Sequence, residues 1–216
     1  MHIDWWMVAW ELPLYILWAL LTWAAYDYWR SSTNEAHKPT YLWAAAAVVL
    51  ATIWRAAILV FWQRAIWLEN SFGRSLLSQE LSANNPYYQF WPKLFGRSGG
   101  YFYAYALSRF LMAVVLSLAV SLVFYWLLTL LEKKNNRFFL PGESRLGFLC
   151  ALLSGWPGFV FFIPAVFLSV VVVSAIRMFM GYKYTTIGYP MILAAAIALG
   201  ASSFLQSFFG LWVLKF

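Results

Sequence analysis

Apolar residues in this chain come in long blocks rather than in alternation with polar ones. Residues 110–131, 146–176 and 187–214 contain no charged residue. Residues 41–62 hold one charge, Arg55. A helix needs about 20 apolar residues to cross the hydrocarbon of a bilayer, and each block reaches that length. The ten-residue alternating segments of a membrane β-barrel do not occur. The pattern predicts an all-α polytopic membrane bundle, a single domain over 1–216. Five transmembrane helices are expected, at about 8–29, 41–64, 103–131, 146–176 and 187–213.

The fourth block is long for one untilted crossing. It contains Pro157 and Pro164, and proline inside a helix frees a carbonyl and bends the axis. A kink is expected there. The alternative is a re-entrant hairpin turning at Trp156-Pro157-Gly158, which reduces the crossings to four. Between the second and third helices, residues 65–101 read as an interfacial segment. Leu68, Phe72, Leu76 and Leu77 recur at helical spacing, as in a helix lying in the membrane plane. The aromatic stretch "YYQFWPKLFGRSGGYFY" follows, and Trp and Tyr settle at headgroup level.

Composition agrees with this picture. The chain is 63% hydrophobic, 21% aromatic and 11% charged, against about 25% charged for a soluble domain. Net charge is +7. In a membrane protein such charge belongs to loops beside anionic headgroups, so membrane lipids are expected contacts and direct nucleic-acid binding is not. Orientation stays open under the five-helix reading. Arg64, Arg74, Lys93, Arg97, Arg109, Arg177 and Lys183 fall on one side. Arg30, Lys38, Lys133, Lys134, Arg137, Arg145 and Lys215 fall on the other. The first apolar run follows Asp4 and includes Glu11, where a signal peptide carries Lys or Arg, so it reads as a retained helix.

Arg55 is costly at membrane depth and implies a partner. It shares a helical face with Ala44, Ala47, Ala51 and Ile58, and small residues mark a face that a neighbour approaches closely. Folding the first hairpin about residue 33 brings residue 55 level with Glu11 and Asp27 near Lys38. A Glu11–Arg55 ion pair is expected, pinning the register of the first two helices. Helix one also carries an aromatic stripe of Tyr15, Trp18, Thr22, Tyr26 and Trp29, which reads as packing against neighbours or lipid. Two further stripes are of small residues: Ala106, Ala113, Ser117 and Ser121, then Ala196, Gly200, Ser203, Ser207 and Gly210. Both have the spacing of close helix contacts, within the chain or with another subunit. Lys133, Lys134, Arg137 and Arg145 form a basic cluster around Glu132 and Glu143, suited to lipid headgroups or an acidic partner segment.

Little points to catalysis. The lone Cys150 excludes an internal disulfide. His2 and His37 are far from any thiol, so neither a zinc site nor a haem is expected, and no cofactor is. Ser154 has no nearby His for a nucleophilic dyad. "PGESRL", the Trp-Pro-Gly break and "IGYPMILAAAIALG" superficially resemble the prepilin peptidases. That family needs a Gly-x-Gly-Asp aspartate and a second one, whereas this chain has only Asp4 and Asp27.

The loop "RFFLPGESRLGF" between apolar helices resembles small accessory inner-membrane proteins of conjugative elements. The residues that carry the resemblance are Arg137, Phe138, Gly142, Glu143, Ser144, Gly147 and Phe148, and they cover well under half of the chain. That family usually has a large segment between its first two helices, which is absent here. The resemblance implies a helper of DNA transfer or type IV secretion in a bacterial inner membrane. The expected function is a non-enzymatic subunit of a larger membrane assembly, in contact with other membrane-protein subunits. Two alternatives remain at this point. One is a small membrane enzyme acting on lipid or peptide, with Glu143 and Arg145 in an interfacial cleft. The other is a transporter or channel subunit using Arg55.

Overall fold

A computed structural model describes residues 5–33, 41–134, 139–140, 142–181 and 186–208. The described chain is helical and contains no strand. Its helices are α1 (Trp5–Thr33), α2 (Tyr41–Glu69), α3 (Ser71–Ser78), α4 (Pro86–Phe90), α5 (Pro92–Phe95), α6 (Gly100–Ala106), α7 (Met112–Lys134), α8 (Glu143–Ser154), α9 (Phe159–Phe179) and α10 (Gly188–Phe208). A π turn, Leu107–Leu111, joins α6 to α7 in one continuous rod. Three stretches are long and apolar enough to cross a membrane: Tyr41–Glu69, Gly100–Lys134 and Phe159–Phe179. The protein is read accordingly as integral to a membrane, with lipid against its outer faces.

The apolar blocks become helices because nothing polar interrupts them and lipid leaves backbone groups no other partner. The fourth block is interrupted. α8 ends at Ser154, Gly155 takes a positive φ of 60°, and α9 begins at Phe159. The backbone N–H of Trp156 donates to Ser117 Oγ (2.5 Å), so the break is tied to the middle of the α6–α7 rod.

The core forms around α8, which packs chiefly on α7, α10 and α2. Leu146, Leu149, Cys150 and Leu153 are buried there with Val48, Met191, Ala194, Ala195 and Ala198. The α7–α8 pairing is antiparallel. Tyr125 meets Phe148 near one end (ring centroids 5.8 Å), and Ser117 meets Trp156 near the other. α9 enters beside Phe124, whose ring lies 5.6 Å from that of Phe162. At its far end the Arg177 guanidinium sits 5.4 Å over the Tyr189 ring of α10.

The small-residue stripes take different surroundings. Ser121 is fully buried, and its hydroxyl has no hydrogen bond among the described residues. Ser117 holds the α8–α9 break while donating to the Ala113 carbonyl (2.9 Å). On α10 the buried face is Met191, Ala194, Ala195 and Ala198. Ala196 is half-buried, and Gly200 is open beside Trp18. The side chains of Ser203 and Ser207, and residue Gly210, lie outside the described residues. In the aromatic stripe of α1, Tyr15, Tyr26 and Trp29 face outward, as lipid contact requires.

Gly147 marks the tightest approach of α8 to its neighbours. A Cβ there would collide with Leu128 Cδ1 and stand 3.0 Å from Met191 Sδ. Gly147→Val is therefore expected to lower stability by about 1–3 kcal/mol through overpacking. Thermal unfolding in detergent, followed by tryptophan fluorescence, would measure it. An unchanged midpoint would mean that α8 is not wedged as described.

Candidate functional site

The polar cluster of greatest interest centres on Glu143, the first residue of α8. Its position follows from local sequence. Gly142 caps α8 with φ of 93°, a left-handed conformation that glycine adopts without strain. This turn sends the Glu143 side chain inward, where it is 1% exposed. Its carboxylate reaches back to the Leu140 backbone, Oε2 accepting that N–H at 3.0 Å. The Glu143 N–H donates in turn to the Leu140 carbonyl (3.1 Å).

Two other helices supply the remaining donors. Tyr28 Oη of α1 donates to Glu143 Oε1 at 2.5 Å, and the Gly188 N–H at the start of α10 donates to the same oxygen at 2.9 Å. Tyr28 Oη also contacts Thr186 Oγ1 (2.9 Å). Gly188 is required by this arrangement, because a Cβ there would collide with the Tyr28 ring. The Tyr189 ring closes the site edge-on to Tyr28, centroids 4.9 Å apart. Behind this centre lie Asp27, buried on α1, and Tyr41, buried at the start of α2 beside Ser31. The Tyr41 hydroxyl makes no hydrogen bond of normal geometry among the described residues.

The site holds a carboxyl group out of water among three donors. Burial pushes the Glu143 carboxyl above the ordinary carboxylate range, and the bonds from Tyr28, Leu140 and Gly188 hold back part of that rise. A protonated Glu143 keeps all three, because a proton on Oε2 takes the one remaining direction and leaves the other for the Leu140 N–H. With Oε1 taking two donors and Oε2 one, the group's acceptor capacity is largely spent inside the protein. It joins α1, α8, α10 and the turn before α8.

Other residues singled out above lie elsewhere. Glu11 accepts from Tyr15 Oη (3.1 Å), one turn along its own helix, and both side chains are exposed. Arg55 is exposed on α2, while Ala44, Ala51 and Ala56 are buried on that helix. Lys133, Lys134 and Arg145 are exposed near the Glu143 end. Arg137 and Lys38 lie outside the described residues. Ser154 donates to the Cys150 carbonyl on its own helix (2.8 Å), and no cluster of three metal-ligating side chains occurs among the described residues. In the sequence Glu143 stands in a polar loop, and nothing beside Tyr28 marks it as the partner of that carboxyl. The available signal was Gly142 before an acidic residue that opens an apolar helix.

Searches against known protein families, characterised proteins and solved structures found no match.

Removing the acceptor while keeping the volume apolar tests the cluster. Glu143→Leu strands the Tyr28, Leu140 and Gly188 donors and is expected to cost on the order of 3 kcal/mol. Tyr28→Phe removes one of the three and should cost about 1 kcal/mol. The pH dependence has a defined sign. A carboxyl raised in the folded state binds its proton more tightly there than in the unfolded chain. Stability is then greatest at or below the ordinary carboxyl pKa and falls as pH rises toward the folded value. Melting temperature against pH should slope downward in that window, and the slope should flatten in Glu143→Gln. A rising slope would contradict the direction of the shift.

Proposed function

We propose that the chain is a non-enzymatic accessory subunit of a multi-protein inner-membrane assembly, of the conjugative DNA-transfer or type IV secretion kind that its 137–148 loop resembles. The observation that carries this reading is the closure of the Glu143 cluster. A general base or nucleophile site needs an open direction toward substrate. Glu143 gives three of its about four acceptor positions to Tyr28, Leu140 and Gly188 and is shut off from solvent. A buried polar network of this kind fixes one arrangement of helices. One observation favours the enzyme reading instead: Glu143 does meet a second ionisable group, Tyr28. On that reading Tyr28→Phe abolishes a reaction while leaving the fold intact. On ours it lowers stability alone.

The architecture that fits this role has four crossings, made by α1, α2, the α6–α7 rod and α10, with α8 and α9 as a re-entrant hairpin. α8 is about 18 Å long at 1.5 Å per residue, too short to cross about 30 Å of hydrocarbon. It descends from Glu143 to Trp156, at the level of Ser117. α9 then starts near Phe124 and ends at Tyr189, beside the Glu143 cluster again. Its two ends therefore fit entry and exit on one side. Irregular backbone at such depth is tolerated where protein buries it, and Pro157 and Gly158 are buried.

Two measurements test these readings. With single cysteines at Lys134 and Gly181, an impermeant thiol reagent should label both from the same side of sealed vesicles, and one at Ser82 from the opposite side. Labelling of Lys134→Cys and Gly181→Cys from opposite sides would return α8–α9 to a full crossing. For the role itself, gentle detergent extraction from the cells that encode the protein should yield it in stoichiometric complex with other membrane subunits. Recovery as a lone monomer would sink the subunit reading.

A further inference from the structure

Residues 70–99 leave the bundle after α2 and rejoin it at α6, carrying aromatic rings that the protein does not use for packing. Phe90 is 86% exposed, Phe72 68% and Trp91 57%. The segment is nevertheless firmly built. Asn70 and Asn85 cap α3 and α4, accepting the Phe72 and Tyr87 N–H groups at 3.1 and 3.0 Å. The Leu81 N–H donates to the Phe95 carbonyl, and the Tyr101 N–H to the Gln79 carbonyl, both at 3.2 Å. Leu81, Phe95 and Ala104 form a small buried core of their own, with Tyr87, Tyr88 and Leu94 against it. Gly99 holds φ of 89°, and Gly100 lies so close to the Phe95 carbonyl that a Cβ would collide with it.

This framework fixes Phe90 and Trp91 outward, at the corner between α4 and α5, while Phe95 anchors the corner from within. A rigid fold that presents large rings to water is unfavourable, and such patches mark contact surfaces. The height of the segment points to the occupant. Its two roots lie at Trp67 and Tyr101, where the Trp67 ring packs with Tyr101, Phe102 and Tyr105, centroids 6.4, 5.2 and 5.2 Å away. Aromatic girdles of this kind sit at headgroup level on membrane helices. Exposed Arg74, Lys93 and Arg97 lie on the same segment, with Glu80 as its one acidic residue. Exposed rings beside cations are the chemistry of a surface that lies in the plane of an anionic leaflet.

We propose that residues 70–99 form a lipid-anchoring platform on the leaflet at the α2–α6 end. Phe72, Phe90 and Trp91 insert beneath the headgroups, and Arg74, Lys93 and Arg97 contact anionic phosphates. The proposal rests on α2 and the α6–α7 rod crossing the bilayer. The platform adds an in-plane grip that holds those helices at fixed depth and rotation.

Spin labels on the full chain in sealed vesicles test this. Single cysteines replace Phe90, Trp91, Asn84 and Val123, and the unsubstituted protein, whose Cys150 is fully buried, serves as the blank. Collision with oxygen against a water-soluble nickel complex reports depth. In vesicles of phosphatidylcholine with a quarter phosphatidylglycerol, the Phe90→Cys and Trp91→Cys labels should favour oxygen at least threefold over Asn84→Cys. The difference should shrink in pure phosphatidylcholine and in a Lys93→Gln, Arg97→Gln background. Nickel access at Phe90→Cys and Trp91→Cys equal to that at Asn84→Cys would overturn the platform and leave a water-facing protein contact in its place. Depth that ignores lipid charge would overturn the anionic part. Val123→Cys lies on an outward face of α7 and should read as deep in every case. Failure there alone would indict the crossing itself rather than the platform.

Discussion

A carboxyl group sealed from water is tolerable only if the protein replaces the hydration it lost. At Glu143 three donors do so, and they come from three places: a tyrosine on α1, the first N–H of α10, and the turn just before α8. None can move independently without stranding a polar group in an apolar surrounding, a loss of about 1–3 kcal/mol each. The constraint therefore reaches well beyond the site. It sets where α8 enters the bundle, which residue can open α10, and how α1 is turned about its axis. Gly142 and Gly188 serve this one requirement in different ways. The first turns the chain inward, and the second lets a backbone donor approach where a side chain would collide with Tyr28.

With its first residue held, α8 becomes the wedge around which longer helices are arranged. Its sides are read by small residues, Gly147 against Leu128 and Met191, and alanines of α2 and α10 on the facing surfaces. Its end is held by Ser117, whose hydroxyl accepts the Trp156 N–H while donating to its own helix. A hydroxyl that does both answers a backbone group that lipid leaves no other way to satisfy. Packing and polar satisfaction thus act on the same short helix.

Much of this was legible in the blocks of apolar residues. An unbroken apolar run leaves the backbone no partner but its own helix, so the helical character of these blocks follows from local rules. What was not legible depends on residues far apart in the chain. Tyr28 and Glu143 are separated by 115 positions, and Tyr28 stands among the outward rings of Tyr26 and Trp29. Arg55 is the conspicuous charge because its sequence neighbours are apolar, and it lies on an exposed edge of α2. Glu143 is inconspicuous because its loop is polar, yet the fold closes over it more completely than over Asp27. The π turn at Leu107–Leu111 left no mark on the hydrophobic pattern. There the hydroxyl of Ser108 bonds the carbonyls of Ala104 and Tyr105.

The buried core is not spread evenly along the bundle. On α2 the buried residues are Tyr41, Ala44, Ala45, Val48, Ala51 and Ala56, and none follows Ala56. On α1 they run mainly from Leu17 to Tyr28, and on the α6–α7 rod the two buried in α7 are Ser121 and Leu128. The other end of α2 and the rod has a smaller core of its own, Leu81, Phe95 and Ala104, and Phe102 and Ala106 are also buried on α6. The two ends are thus packed by different stretches of chain, α8 at one and residues 70–99 at the other. A substitution that loosens one core leaves the contacts of the other in place.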